Sequence, residues 1–173
     1  MNNKYTYDEV LTSSLEYFNG DTLAATTWIN KYSLKDTEGN ITEKNPDDMH
    51  TRMAKQFGRM ENILSTDLSN IEGVSKYGKE REKLTEEKVY EYFKNFKYLI
   101  PQGSIMAGLG NTFQLVSLSN CIVIKSPYDS YAGIAYADQQ LAQLMKRRCG
   151  VGLDISTLRP EGLVVNNAAK TAT

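Results

Sequence analysis

Hydrophobic spacing changes once along this chain, near Leu99, and that change limits what it can fold into. From Tyr5 to Phe96, apolar side chains recur every three or four residues, the period of helices that bury one face. Val10, Leu11, Leu15 and Phe18 mark a first helix, which Asn19-Gly20 stops. Asp21 is placed to N-cap the next, DTLAATTWIN. After the polar turn DTEGN comes NPDDM, a strong helix start. Asn45 can cap, Pro46 suits the first helical position, and Asp47 and Asp48 complement the positive end of the dipole. Met49, Met53, Phe57, Met60 and Leu64 then predict one long amphipathic helix. The stripe from Met49 to Met60, together with Trp28, is expected in the core. GVSKYGKEREKLTEEK reads as a solvated connector. TEEKVYEYFKNF predicts another helix, with Val89, Phe93 and Phe96 on one stripe.

Beyond Leu99 the pattern is different. IPQGSIMAGLGN is rich in glycine and small residues and precedes a β-favouring run, FQLVSLSNCIVI. Pro127-Tyr128-Asp129-Ser130 offers a helix start, and YAGIAYADQQLAQLMKRR follows. Lys146, Arg147 and Arg148 are expected in its last turn, where positive charge is favourable. CGVG then reads as a tight turn into a short strand, GLDIS, so strand, helix and strand follow one another as in a βαβ unit. RPEGLVVNNAAKTAT reads as a loop, or a loop and a helix start. The expected fold is α/β, with a helical domain over residues 1–98 and a second domain over 99–173.

Composition excludes several classes of function. The 173 residues carry 20 Lys and Arg against 21 Asp and Glu, a formal charge of −1. That balance provides no electrostatic case for DNA as a partner. Two cysteines in a chain of this length do not form a disulfide framework and point to a reducing compartment. His50 is the only histidine, and no CxxC or HxxxH spacing occurs, so no protein-built metal site is expected. The first residues lack the layout of a signal peptide, and no apolar run reaches the about 20 residues that span a bilayer. A cytoplasmic protein with no membrane partner is expected.

Single motifs carry two readings each. GLGN lacks the lysine and hydroxyl of a P-loop, and CGVG follows a helix instead of opening one. Cys121 is either a small buried hydrophobe or an accessible thiol at a strand end, with Ser119 and Asn120 as polar neighbours. Cys149 reads as packing. Asp129 and Ser130 are helix caps or binding groups. Arg159 is a surface residue or a fork for phosphate.

Together the motifs resemble a known family. IPQGSIMAGLGN, SLSNC, PYDSYAGI, KRRCGVGLDIS with LRPEG, and NAAKTAT, in that order, resemble the catalytic subunit of ribonucleotide reductase. KYSLKD and NPDDMHTRMAKQFGRME resemble that family's N-terminal helical region, so the likeness runs from about Thr22 to the last residue. The resemblance implies a helical domain followed by the first part of a ten-stranded α/β barrel. It implies a thiyl radical that removes the 3′ hydrogen of a ribonucleotide, and a redox cysteine pair that supplies electrons as the 2′ hydroxyl leaves. Cys121 falls on one member of that pair. Gly103, Ser104, Ser119, Asn120 and Gly150 fall on substrate-contacting positions. Asp129, Ser130, Tyr131, Arg159, Val165 and Asn166 fall on the segments that hold and read a specificity effector, ATP or a deoxynucleoside triphosphate.

Further expectations come from the same resemblance. The helix 130–148 would lie at a homodimer interface. The activity would be that of a ribonucleoside-diphosphate reductase served by thioredoxin or glutaredoxin, with triphosphate substrates also open. The radical cysteine, the second redox cysteine, the catalytic glutamate and the electron-relaying cysteines would lie on a complementary C-terminal part. No cofactor is expected on this chain. The radical source is expected elsewhere, as a di-metal radical-generating subunit or adenosylcobalamin, with the partner subunit favoured. An N-terminal ATP-cone has no counterpart before Thr22, so overall ATP/dATP switching through this chain is not expected. A split gene, a spliced precursor or a truncated form would each account for the length. The alternative reading is a non-catalytic nucleotide-binding or assembly fragment. A few strands taken from a barrel leave an open edge, so the isolated chain is expected to aggregate or stay partly molten unless its complement is present.

Overall fold

The structure, a computed structural model, describes residues 4–64 and 72–164. It divides into two compact units, residues 1–118 and 119–173.

The first unit is helical. α1 (Tyr7–Tyr17) opens with a capping box: Thr6 Oγ1 accepts from Glu9 N at 3.4 Å, and Glu9 Oε2 accepts from Thr6 N at 2.8 Å. Asn19 and Gly20, both at positive φ, end it. α2 (Thr22–Lys31) is capped by Asp21, whose Oδ1 accepts from Ala24 N at 2.9 Å. α3 (Pro46–Leu64) starts as its sequence predicts, with Asn45 Oδ1 accepting from Asp47 N at 3.0 Å. α4 (Lys76–Glu80) is short, and α5 (Glu86–Phe93) packs on α3. α6 (Gly103–Gly108) closes the series.

Val10, Trp28, Ile29, Met49, Met53, Ala54, Val89, Phe93 and Met106 form one core, to which α1, α2, α3, α5 and α6 all contribute. Each fully buried large side chain there contributes about 2 kcal/mol. The stripe on α3 is narrower than expected. Met49 and Met53 are fully buried, but Phe57 is 43% and Met60 40% exposed. The buried line instead continues through Ala54 and Gly58, where Glu86 of α5 lies close, and the Phe57 ring is tilted against that of Phe93 at 5.9 Å.

His50 also lies on the buried side of α3, with no exposed surface and no hydrogen-bond partner on either ring nitrogen. Phe96 meets it edge-on at 4.6 Å, Phe93 stacks at 6.2 Å and Tyr17 is tilted at 6.4 Å. Burial pushes the imidazole pKa down to about 4, against a smaller upward pull from Asp47, whose Oδ1 lies 4.0 Å from Nδ1. Asn95 and Phe96, at φ 55° and 53°, form the left-handed turn after α5 from which the Phe96 ring reaches His50. Such residues cost roughly 1–2 kcal/mol each, which the packing of Phe96 against Phe18 and His50 offsets.

Two segments of this unit differ from expectation. The connector carries α4, capped by Ser75 Oγ accepting from Gly78 N at 3.1 Å, and buries none of its residues. GSIMAG, expected only to be glycine-rich, forms α6. Its carbonyls find partners outside the helix, described below.

The second unit contains β1 (Cys121–Val123), α7 (Tyr131–Met145) and β2 (Gly150–Gly152). The strands are parallel, with Cys121 opposite Gly150, Ile122 opposite Val151 and Val123 opposite Gly152. This is the expected strand–helix–strand order, with shorter strands. Upstream of β1, Asn111 Oδ1 accepts from Phe113 N and Gln114 N at 2.9 and 3.1 Å, which commits that stretch to a turn. β2 occupies GVG, not GLDIS. Gly150 N donates to Asn120 O at 2.6 Å and Ile124 N to Gly152 O at 3.0 Å, so the ladder is used up there. Asp154 then accepts from Ser156 N and Oγ at 2.9 and 2.7 Å, ending the extended run. α7 stops at Met145. Arg147 Nη1 donates to the Gln143 carbonyl at 2.7 Å, and Arg148, at φ 66°, turns the chain towards β2. No described helix is long and apolar enough to cross a membrane.

Candidate functional site

Side chains alternate between the two faces of the β1–β2 pair. Ile122 and Val151 share one face and are half-buried, and Cys149 next to them is 3% exposed, with Sγ donating to the Gly150 carbonyl at 3.3 Å. Cys121 and Val123 lie on the other face, opposite Gly150 and Gly152, and all four are exposed. The two thiols thus occupy opposite faces, one open and one covered. A Cβ built on Gly150 would lie 3.6 Å from Cys121 Sγ, so the glycine leaves the space beside the sulfur empty. Ser119 and Asn120 immediately precede the strand, and Asn120 uses its carbonyl to start the ladder.

At the start of α7 a cavity of about 320 Å³ opens between the helix N-terminus and the loop after β2. Asp129, Ser130, Tyr131 and Arg159 line it, so four of the six expected effector residues are brought together. Val165 and Asn166, like the NAAKTAT motif, lie outside the described residues. Ser130 Oγ accepts from Gly133 N at 3.0 Å and so caps α7. Asp129 Oδ2 accepts from Arg159 Nε at 2.8 Å, while Arg159 Nη1 donates to the Val164 carbonyl at 2.8 Å. Thr157 Oγ1 donates to the Pro127 carbonyl at 2.6 Å and ties the same two segments together. Asp129 and Ser130 therefore serve as local structural groups and also present polar atoms to the cavity.

Leu158, Pro160, Glu161 and Leu163 complete the lining. Sequence reasoning singled out Arg159 alone in that loop. The proline turn around it was the signal that its neighbours would share its side of the chain. Next to the cavity, Lys125 Nζ donates to Tyr128 Oη at 3.0 Å, and this hydrogen bond lowers the Tyr128 pKa.

The turn feeding α7 has no spare room. A Cβ on Gly133 would lie 2.5 Å from the Tyr128 carbonyl oxygen, closer than real contacts allow. Gly133→Ala is expected to destabilise the second unit by roughly 1–3 kcal/mol. Amide exchange in the first turn of α7 should accelerate, and an unchanged exchange pattern would contradict this reading of the turn.

Gly103 and Ser104 begin α6 in the first unit, both half-buried. A Cβ on Gly103 would meet the Tyr32 ring at 3.1 Å.

A parallel strand pair joined by one helix gives the second unit an α/β arrangement, with an exposed thiol on its open face. The family model described as ribonucleotide reductase, barrel domain, matches residues 119–173, the whole of that unit. Residues 119–173 are thus similar to the barrel domain of ribonucleotide reductase. A comparison with curated proteins finds no match.

Proposed function

We propose that this chain is the N-terminal part of a ribonucleotide reductase catalytic subunit, converting ribonucleotides to deoxyribonucleotides together with a complementary C-terminal part. The observation that carries the reading is the exposed Cys121 thiol opposite Gly150, within the segment that matches the barrel domain. In this reading Cys121 and a second cysteine on the complementary chain are the reductants. A ribonucleotide and two thiols become a deoxyribonucleotide, water and one disulfide. The 3′ hydrogen is removed and returned by a cysteine radical on the complementary chain. That radical is generated by a di-metal partner subunit or adenosylcobalamin, neither of which is assigned to this chain. Ser119, Asn120 and Gly150 contact substrate near the thiol, and in the first unit Gly103 and Ser104 contact substrate phosphate. Thioredoxin or glutaredoxin restores the dithiol, and ribonucleoside diphosphates are the substrate class adopted.

The cavity at Asp129 and Arg159 is assigned to a specificity effector, ATP or a deoxynucleoside triphosphate. A carboxylate accepts from ribose hydroxyls and a guanidinium forks onto phosphate oxygens. Because Arg159 is already held by Asp129, binding there requires the pair to open or share the ligand. A homodimer through α7, the helix expected over residues 130–148, follows from the same assignment.

The test is a single turnover of the assembled reductase without external reductant, followed by alkylation and mass spectrometry. Cys121 is expected to become resistant to alkylation only when substrate is present, while Cys149 does not change. Equal labelling of Cys121 with and without substrate, in enzyme that has formed product, would overturn the assignment. Nucleotide binding by a chain that forms no product with any complementary chain would instead support a non-catalytic nucleotide-binding or assembly role.

A further inference from the structure

α6 has only six residues, too few to persist on intrinsic propensity. Its C-terminal carbonyls are nevertheless all accounted for. Ile105 O accepts from Leu109 N at 3.0 Å, and Gly108 O accepts from Asn111 N at 3.0 Å. Ala107 O accepts from Asn111 Nδ2 at 3.5 Å. The remaining two carbonyls, Met106 and Leu109, accept from one side chain on a different helix. Arg52 of α3 donates to Met106 O through Nη2 at 2.8 Å and to Leu109 O through Nη1. Its Nε donates to Glu43 Oε1 at 2.6 Å, and Glu43 Oε2 accepts from Leu34 N at 2.7 Å.

Arg52 and Glu43 are both largely withdrawn from water, with side chains 10% and 5% exposed. A buried charge without a partner is costly, so neither is replaceable by a flexible substitute. The guanidinium is planar and its donors keep fixed directions, which suits two carbonyls and a carboxylate at once. Its positive charge also lies at the C-terminal, negative end of α6. The line Leu34–Glu43–Arg52–α6 therefore fixes the segment that begins with Gly103 and Ser104.

We infer that Arg52, oriented by Glu43, is a positioning residue for the substrate-contacting segment 103–108. The inference rests on the proposed contact of Gly103 and Ser104 with substrate phosphate. Arg52 itself touches no substrate. Its effect is on the affinity of a site whose backbone must be held in place before substrate arrives.

The experiment uses the assembled reductase carrying Arg52→Gln, Arg52→Lys or Ser104→Ala, with Trp28 fluorescence to confirm a folded first unit. Arg52→Gln is expected to accelerate amide exchange over 103–108 and raise KM for ribonucleotide about tenfold, while kcat changes less than about threefold. Arg52→Lys, which keeps the charge but not the fork, should restore part of both effects, and remains informative if the glutamine variant does not fold. Unchanged exchange, or faster exchange with KM unchanged while Ser104→Ala raises it, would overturn the role of Arg52. Faster exchange with normal KM in both Arg52 and Ser104 variants would instead remove the substrate reading of the segment.

Discussion

Cys121→Ser is expected to abolish repeated turnover in the assembled reductase, by roughly a thousandfold or more. A serine hydroxyl occupies nearly the same volume and still hydrogen-bonds, but it cannot form a disulfide, so the two electrons that reduce the ribonucleotide have no source in the first turnover or in any later one. Because Cys121 is exposed on the open strand face, the substitution should leave stability within about 0.5 kcal/mol. The contrasting variant is Cys149→Ser. That thiol is 3% exposed, so a hydroxyl there costs about 1–2 kcal/mol while turnover by the folded enzyme persists. Steady-state deoxynucleotide formation with a thioredoxin system, alongside urea denaturation, separates the two. Sustained turnover by the Cys121 variant would sink the redox assignment.

The second large effect is acid lability of the helical unit, traced to His50. Its folded pKa, about 4, lies below the ordinary 6.5, so the unfolded chain takes up the proton first. Stability is complete above about pH 6.5 and is lost as pH falls through the folded value of about 4. The loss amounts to about 3 kcal/mol once both forms are protonated. Trp28, the single tryptophan and 2% exposed, reports the transition by fluorescence. His50→Phe should remove most of this pH dependence and be neutral or stabilising at pH 7, because it replaces two unpartnered ring nitrogens within an aromatic cluster. An unfolding midpoint as acid-sensitive in His50→Phe as in the original chain would assign the lability to other groups.

The legible parts of this fold were those decided by local chemistry. Asp21 and Asn45 each cap the helix that follows, as residue type and position predicted, and Ser130 takes the capping role that was one of its two readings. The order β1, α7, β2 could be read because the apolar period changes on either side of a glycine turn. Pairing was less visible. GLDIS has a strand-like composition, but Gly150–Gly152 takes the ladder because Asn120 and Ile124 supply the partners, and pairing depends on residues far away in sequence. The stripe on α3 misled at Phe57 and Met60 because period gives a face but not how far its neighbours extend along it. Arg52 and Glu43 look like ordinary surface charges in sequence. Their burial follows from α6, whose helix was itself hidden within a glycine-rich run. Within the candidate site, Asp129 and Arg159 were singled out separately. Their direct ion pair needed the return of the loop after β2.

The absence of a side chain at Gly150 gives the neighbouring sulfur something that a tightly packed strand pair would deny it, a choice of rotamer. A thiol hemmed in by a valine or leucine across the strand would be restricted to one χ1 well. Cys121 has free volume on that side and can swing about its Cα–Cβ bond without moving the backbone. In the proposed reading, a sulfur that faces one reaction partner and later another uses the free volume that a glycine opposite leaves.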